Sequence, residues 1–209
     1  MQLIENLKWR YATKKFDASK KVSELEINSI KEAVQLAASS YGLQPFKVLE
    51  IKSHSLKELL KPLSWNQSQI TDASHLFVFC NIVELTNQDV DDLMQLKSEI
   101  NNIPTDKIKG YGDFIKGKLK EKSKEEMFHW TAKQTYIALA NAITACAELR
   151  IDCTPIEGFE PEAYNQLLKL NEKGLNACAL LAVGYRHAED LAQNSKKVRK
   201  PMESIFELI

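Results

Sequence analysis

Several familiar chemical signatures are missing from this 209-residue sequence. There is no G-x-G-x-x-G after a strand and no G-x-x-x-x-G-K-[ST]; Gly110, Gly112 and Gly117 have the wrong spacing for either, so a nucleotide-like cofactor would have to be gripped by side chains from separated segments. The nucleophile elbow G-x-S-x-G is absent. The four histidines form no H-E-x-x-H, and no metal site is expected. Cys80, Cys146, Cys153 and Cys178 contain no Cys-x-x-Cys pair, which points to reduced thiols rather than a disulfide or zinc framework. No charge predominates, with 28 basic against 28 acidic residues, so nucleic acid is not an expected partner. The apolar runs Leu76 to Val83 and Ala177 to Val183 fall far short of the ~20 residues of a membrane span. Glu5 and Lys8 interrupt any signal-like core, leaving a cytoplasmic location as the expectation.

What is present is an ordinary globular composition, 44% hydrophobic and 27% charged, long enough for one domain over residues 1–209. Ser23-Glu-Leu-Glu26 is a capping box, and the spacing of Ile27, Ile30 and Val34 predicts a helix over about 24–38. Residues 46–51, 76–83 and 177–183 read as strands, and 56–60, 89–100 and 161–168 as helices. Residues 106–124 read as an exposed, lysine-rich excursion with some helix in it. A second capping box, Ser123 with Glu126, opens a central helix running to Arg150 without Gly or Pro. Nearly every face of it between Tyr136 and Leu149 is apolar or small, so it must be covered by the fold or by a second subunit. Pro155 is read as ending the turn that follows. The mixture of helices and strands predicts an α+β layered domain.

Two basic clusters lie at opposite ends of the chain, Arg10 with Lys14 and Lys15, and Lys196, Lys197, Arg199 and Lys200. Such runs are usually solvated surface, but planar Arg forks and Lys point charges at these spacings also complement a phosphate monoester. Ser39 and Ser40 follow a helix and could meet a polar ligand edge. Asn66 could pair with an imide-like edge, and Gly158 in Pro155-Ile-Glu-Gly-Phe159 permits close approach of a flat ligand. His75, just before an apolar strand, reads as a satisfied core histidine.

Taken in order, Arg10 to Asp17, Ser39-Ser40 with Gln44-Pro45, Asn66 with Asp72 to His75, Trp130-x-Ala-Lys-Gln134, Pro155 to Phe159 and Lys197-x-Arg-x-Pro201 resemble the FMN-dependent nitroreductase family. The resemblance is strongest to its oxygen-insensitive NAD(P)H nitroreductase and dihydropteridine reductase-like branch. It implies a mixed, mainly antiparallel sheet flanked by helices in an intertwined homodimer, with FMN at the interface and NADH or NADPH as donor. Arg10, Lys14, Lys197 and Arg199 would then hold the phosphate end or the N1 and O2 side of the flavin. Asn66 would meet the pyrimidine edge, Ser39 and Ser40 would come from the other subunit, and Pro155, Glu157 and Gly158 would lie at N5. The acceptor would be a nitroaromatic, quinone or pteridine-like compound, and no protein side chain is expected as acid or base. An enone or flavin reductase, or a low-turnover FMN-binding or sensing protein, are the alternatives. Departures from the branch are Gln69, where a lysine near O2 is usual, Ala12 in place of a hydroxyl residue, and the Tyr41-Gly42-Leu43 loop. Tyr41 and Phe114 are the expected substrate contacts.

Overall fold

Strand alternation decides how the layers form. The computed structural model describes residues 1–209, with four strands, β1 (Phe46–Ile51), β2 (His75–Ile82), β3 (Asp152–Ile156) and β4 (Leu175–Gly184). They form one sheet in the order β1-β2-β4-β3, and every neighbouring pair is antiparallel. A parallel bridge from Ala12, outside the named strands, to Cys153 of β3 supplies the mixed element. Successive side chains of a strand point to opposite faces. Leu76, Val78, Cys80, Leu180 and Ala182 accordingly enter one core with Leu60, Ile70 and Tyr164. Phe77, Phe79, Ala179, Leu181 and Val183 enter a second core with Ile27, Ile30, Ala138 and Ala142.

The helices are α1 (Gln2–Trp9), α2 (Glu24–Gln35), α3 (His54–Leu60), α4 (Gln69–Asp72), α5 (Asn87–Asn101), α6 (Thr105–Lys120), α7 (Lys124–Glu148) and α8 (Pro161–Leu167). Both predicted capping boxes form, Ser23 with Glu26 and Ser123 with Glu126, each satisfying two backbone donors at a helix start. Thr86 and Asp89 form a third, which places the start of α5 at Asn87. The helix expected over 24–38 stops at Gln35.

Two readings change. Pro155 does not end a turn but lies in β3, paired with Leu181. Proline is tolerated there because β3 is an edge strand with no neighbour requiring its missing N–H. The 106–124 excursion contains a regular sixteen-residue helix, α6. Its glycines obscured the pattern, yet Gly112 is where α6 meets α5: a Cβ there would come within 2.9 Å of Met94 Cγ. Ile115 and Leu119 bury with Val90, Met94 and Met127 in a third cluster.

In α7, Ala138, Ala142 and Cys146 are fully buried against the sheet, while Tyr136, Ile137 and Ala140 remain exposed on the other side. The four cysteines are free, and all but the half-buried Cys178 lie in the core. His75 is held as expected, with Ser74 Oγ 3.0 Å from Nδ1.

Candidate cofactor site

The chain segment after α1 and the C-terminal tail bring their cations together. Lys197 Nζ donates to the carbonyl of Arg10. Burial lowers the pKa of Lys197, and the neighbouring charges of Arg10 and Arg199 lower it further. None of Arg10, Lys14, Lys197 and Arg199 has a carboxylate within ion-pair distance, although Lys15 beside them pairs with Glu189 at 2.5 Å. Arg10 Nε is buried without any partner. Orphaned buried donors are uncommon, and a donor left so among unpaired cations has the chemistry of an anion site. These residues fit the phosphate end expected for FMN.

The segment 10–14 is set against β3 by the Ala12–Cys153 bridge. At the other end of that strand, Gln67 Nε2 donates to the carbonyl of Gly158 at 2.8 Å, and Glu160 N–H donates to the carbonyl of Leu63 at 2.9 Å. Asn66 and Gln69 are thereby carried to the Glu157–Gly158 corner. Trp65 and Asn66 both have left-handed backbones, with φ of 53° and 56°. Two consecutive non-glycine residues in that region store strain, which tends to concentrate at ligand sites. Asn66 is exposed and Gln69 buried. Gly158 is needed for a close approach, but by the chain itself: a Cβ there would lie 2.7 Å from the Trp65 ring.

Helix α7 links the remaining residues. Tyr136 donates from its hydroxyl to Glu157 Oε1 at 2.5 Å. Partial burial of this otherwise exposed side chain, reinforced by the hydrogen bond to the Glu157 carboxylate, raises the pKa of the phenol well above its ordinary value. Tyr136, Leu139, Ala140 and Ile143 together with Pro155, Glu157 and Ala179 line a groove of about 380 Å³. Two residues before Tyr136, Gln134 Oε1 accepts from Ser40 N–H at 2.8 Å. Ser39 Oγ accepts from Gln44 N–H at 2.8 Å, so that hydroxyl already shapes its own loop. No hydrogen bond or ion pair joins Ser39 or Ser40 to the cation cluster. Tyr41, at φ 61°, meets Phe114 of α6 edge-on, with ring centroids 6.4 Å apart, and Trp130 at 6.3 Å.

Trp65, Tyr136 and the carboxylate of Asp190 behind the cation segment were not among the expected site residues. In the sequence Tyr136 is one more position of the largely apolar central helix, and Trp65 shows itself only through its left-handed backbone and its packing on Gly158.

These features define a layered α+β protein whose chain ends form an anion-seeking cluster at one end of an edge strand, with a strained, aromatic-bordered corner at the other. The chain belongs to the nitroreductase family, whose model matches residues 7–185. It is 32% identical to the major NAD(P)H-flavin oxidoreductase of Aliivibrio fischeri, with 99% of this chain and 98% of that protein covered. It is 28% identical to the oxygen-insensitive NAD(P)H nitroreductase of Salmonella typhimurium, with 98% of each covered. A protein of Exiguobacterium sibiricum solved in complex with FMN superimposes with a TM-score of 0.84 at 20% identity, covering 99% of this chain and 97% of that one.

Proposed function

We propose that the chain is an FMN-dependent NAD(P)H oxidoreductase, one domain over residues 1–209, that reduces nitroaromatics, quinones or pteridine-like compounds. The observation that carries this reading is the buried, partnerless Arg10 Nε among three further cations without carboxylates, in a chain of this family. When bound, FMN supplies the redox chemistry: a hydride accepted from NADH or NADPH in one half-reaction and electrons returned to an acceptor in the other, a ping-pong cycle.

The residues of the chain bind and orient. Arg10, Lys14, Lys197 and Arg199 would hold the phosphate and place positive charge where the reduced cofactor is anionic. Ala12, Asn66 and Gln69, with Pro155, Glu157 and Gly158, would border the ring system. Gln69 is neutral and so adds no positive charge there. The Tyr136–Glu157 hydrogen bond fixes the position of the Glu157 side chain at that corner. Tyr41 and Phe114, already in contact, would receive a flat acceptor. Exposed Tyr136 and Ile137 on α7, and Val198, Met202, Ile205 and Phe206 in the tail, are apolar surface suited to a homodimer interface. In that dimer Ser39 and Ser40 would serve the site of the partner. No helix is long and apolar enough to cross a membrane.

Initial rates measured with NADPH or NADH against a quinone and a nitroaromatic test the reading. Parallel double-reciprocal lines with many turnovers per flavin are expected; turnover limited to a few cycles would favour a binding or sensing protein. The resemblance to a flavin oxidoreductase supports a second acceptor, free flavin, to be compared under the same donor.

A further inference from the structure

Behind the cation cluster lies a buried carboxylate that makes no ion pair. Asp190 is 2% exposed. Its Oδ2 accepts from the Tyr11 hydroxyl at 2.8 Å, from Lys14 N–H at 2.9 Å and from Lys15 N–H at 3.3 Å, and its Oδ1 accepts from Ala192 N–H at 3.1 Å. A buried anion beside lysines would ordinarily draw in an ammonium group. Here the two lysines offer their backbone N–H instead: the Lys15 ammonium goes to Glu189, and that of Lys14 is left without an acidic partner.

This arrangement ties together both halves of the proposed clamp. Through Tyr11 and the Lys14 and Lys15 amides, Asp190 fixes the segment that carries Arg10 and Lys14. Through the Ala192 amide it caps the turn Leu191–Asn194, from which the chain runs on to Lys197 and Arg199. The other side of Tyr11 is fixed independently. The Arg186 guanidinium lies 4.6 Å from the Tyr11 ring centroid and is itself held by Asp152 through two bonds of 2.8 and 2.6 Å. His187 N–H donates to the Lys15 carbonyl at 2.9 Å, closing a strap between the two chain segments.

We propose that Asp190, with Tyr11, is a positioning residue for the cofactor's phosphate: it spends its charge on backbone amides, so that the Arg10, Lys14, Lys197 and Arg199 side chains stay gathered and free for a phosphate monoester. The inference rests on the FMN reading given above. It opposes a purely Coulombic expectation, in which a buried negative charge near the clamp weakens anion binding and its removal strengthens it.

The test uses the purified protein holding FMN and, in a separate sample, the same protein loaded with riboflavin, which lacks the phosphate; equilibrium release of each flavin on dilution is read by the fluorescence of the free flavin. Asp190→Asn removes the charge and turns one of the two acceptor oxygens into an amide donor, which must then face either the Tyr11, Lys14 and Lys15 donors or the Ala192 N–H. It should weaken FMN by about tenfold or more, the loss of a charge-assisted hydrogen bond, while riboflavin affinity changes by less than about twofold. Tyr11→Phe, which keeps the ring on Arg186, should weaken FMN in the same selective way by a smaller factor. FMN bound as tightly or more tightly in both variants would overturn the proposal, and so would an equal loss of FMN and riboflavin. If Asp190→Asn fails to fold, the FMN-to-riboflavin ratio of Tyr11→Phe decides alone. A wild-type protein that holds no FMN would contradict the functional reading instead.

Discussion

Arg10 has a buried Nε with no partner, yet its carbonyl accepts from Lys197 and its neighbour Tyr11 is fixed by Asp190. The backbone that carries the Arg10 side chain is therefore held in place while its Nε donor remains unused. Replacing Arg10 and Arg199 together by alanine should release FMN, seen as loss of the flavin absorption bands after gel filtration; full flavin occupancy in the double variant would contradict the assigned phosphate site. At the other end of the site, Phe114→Ala should raise the KM for an aromatic acceptor while leaving FMN affinity unchanged, since Phe114 touches Tyr41 and Tyr111 and none of the clamp residues. A third residue, Lys57, concerns stability alone. Its ammonium is buried and donates to the carbonyls of Ala73 and Ser74 at 3.0 and 3.3 Å. Burial, with a smaller contribution from the Lys21 charge, pushes its pKa down from 10.5 to about 8. Between those two values the unfolded chain binds a proton that the folded chain does not, so stability from this group rises with pH across that window and is constant below it. The urea-unfolding free energy of wild type minus that of Lys57→Met should accordingly rise from about pH 8 to about pH 10.5 and stay flat from pH 6 to 8.

Elements were legible in the sequence wherever a local signal and the burial pattern agree. The capping boxes at Ser23 and Ser123 mark their helices, and the doubly apolar runs mark β2 and β4 as interior strands because both faces of the sheet are covered. Ser123→Ala should remove the cap of α7 and lower the unfolding free energy by about 1 kcal/mol, measurable by urea denaturation. β3 was not legible, because its five residues contain Pro155 and its pairing partner in β4 lies more than twenty residues further on. Helix α6 was obscured by three glycines, of which only Gly112 is buried, at the contact with α5. The site divides in the same way. Its cations and its Asn66 and Gly158 corner could be named from residue types and order. The connections that assemble them, Gln67 to Gly158, Tyr136 to Glu157 and Tyr11 to Asp190, join residues from 21 to 179 positions apart and carry no local pattern.

At the scale of the whole molecule, three facts bear on association. Helix α7 is buried on the side facing the sheet and apolar on the side facing outward, the groove at Pro155 and Glu157 opens beside that outward side, and the tail beyond Pro201 exposes a series of apolar residues. Such surface is costly to leave in water, which supports a dimer that covers it. Ile137→Lys, placing a charge on the exposed side of α7, should shift the sedimentation coefficient from that of a dimer toward a monomer and weaken FMN retention along with it. An unchanged dimer would place the interface elsewhere. The most direct test of the account as a whole is an anaerobic titration of the purified protein followed in the visible spectrum. The oxidised-flavin bands should bleach on addition of NADPH or NADH and return in full when a quinone or nitroaromatic is added. Bound flavin that neither nicotinamide can reduce would contradict the oxidoreductase reading and leave a flavin-binding protein in its place.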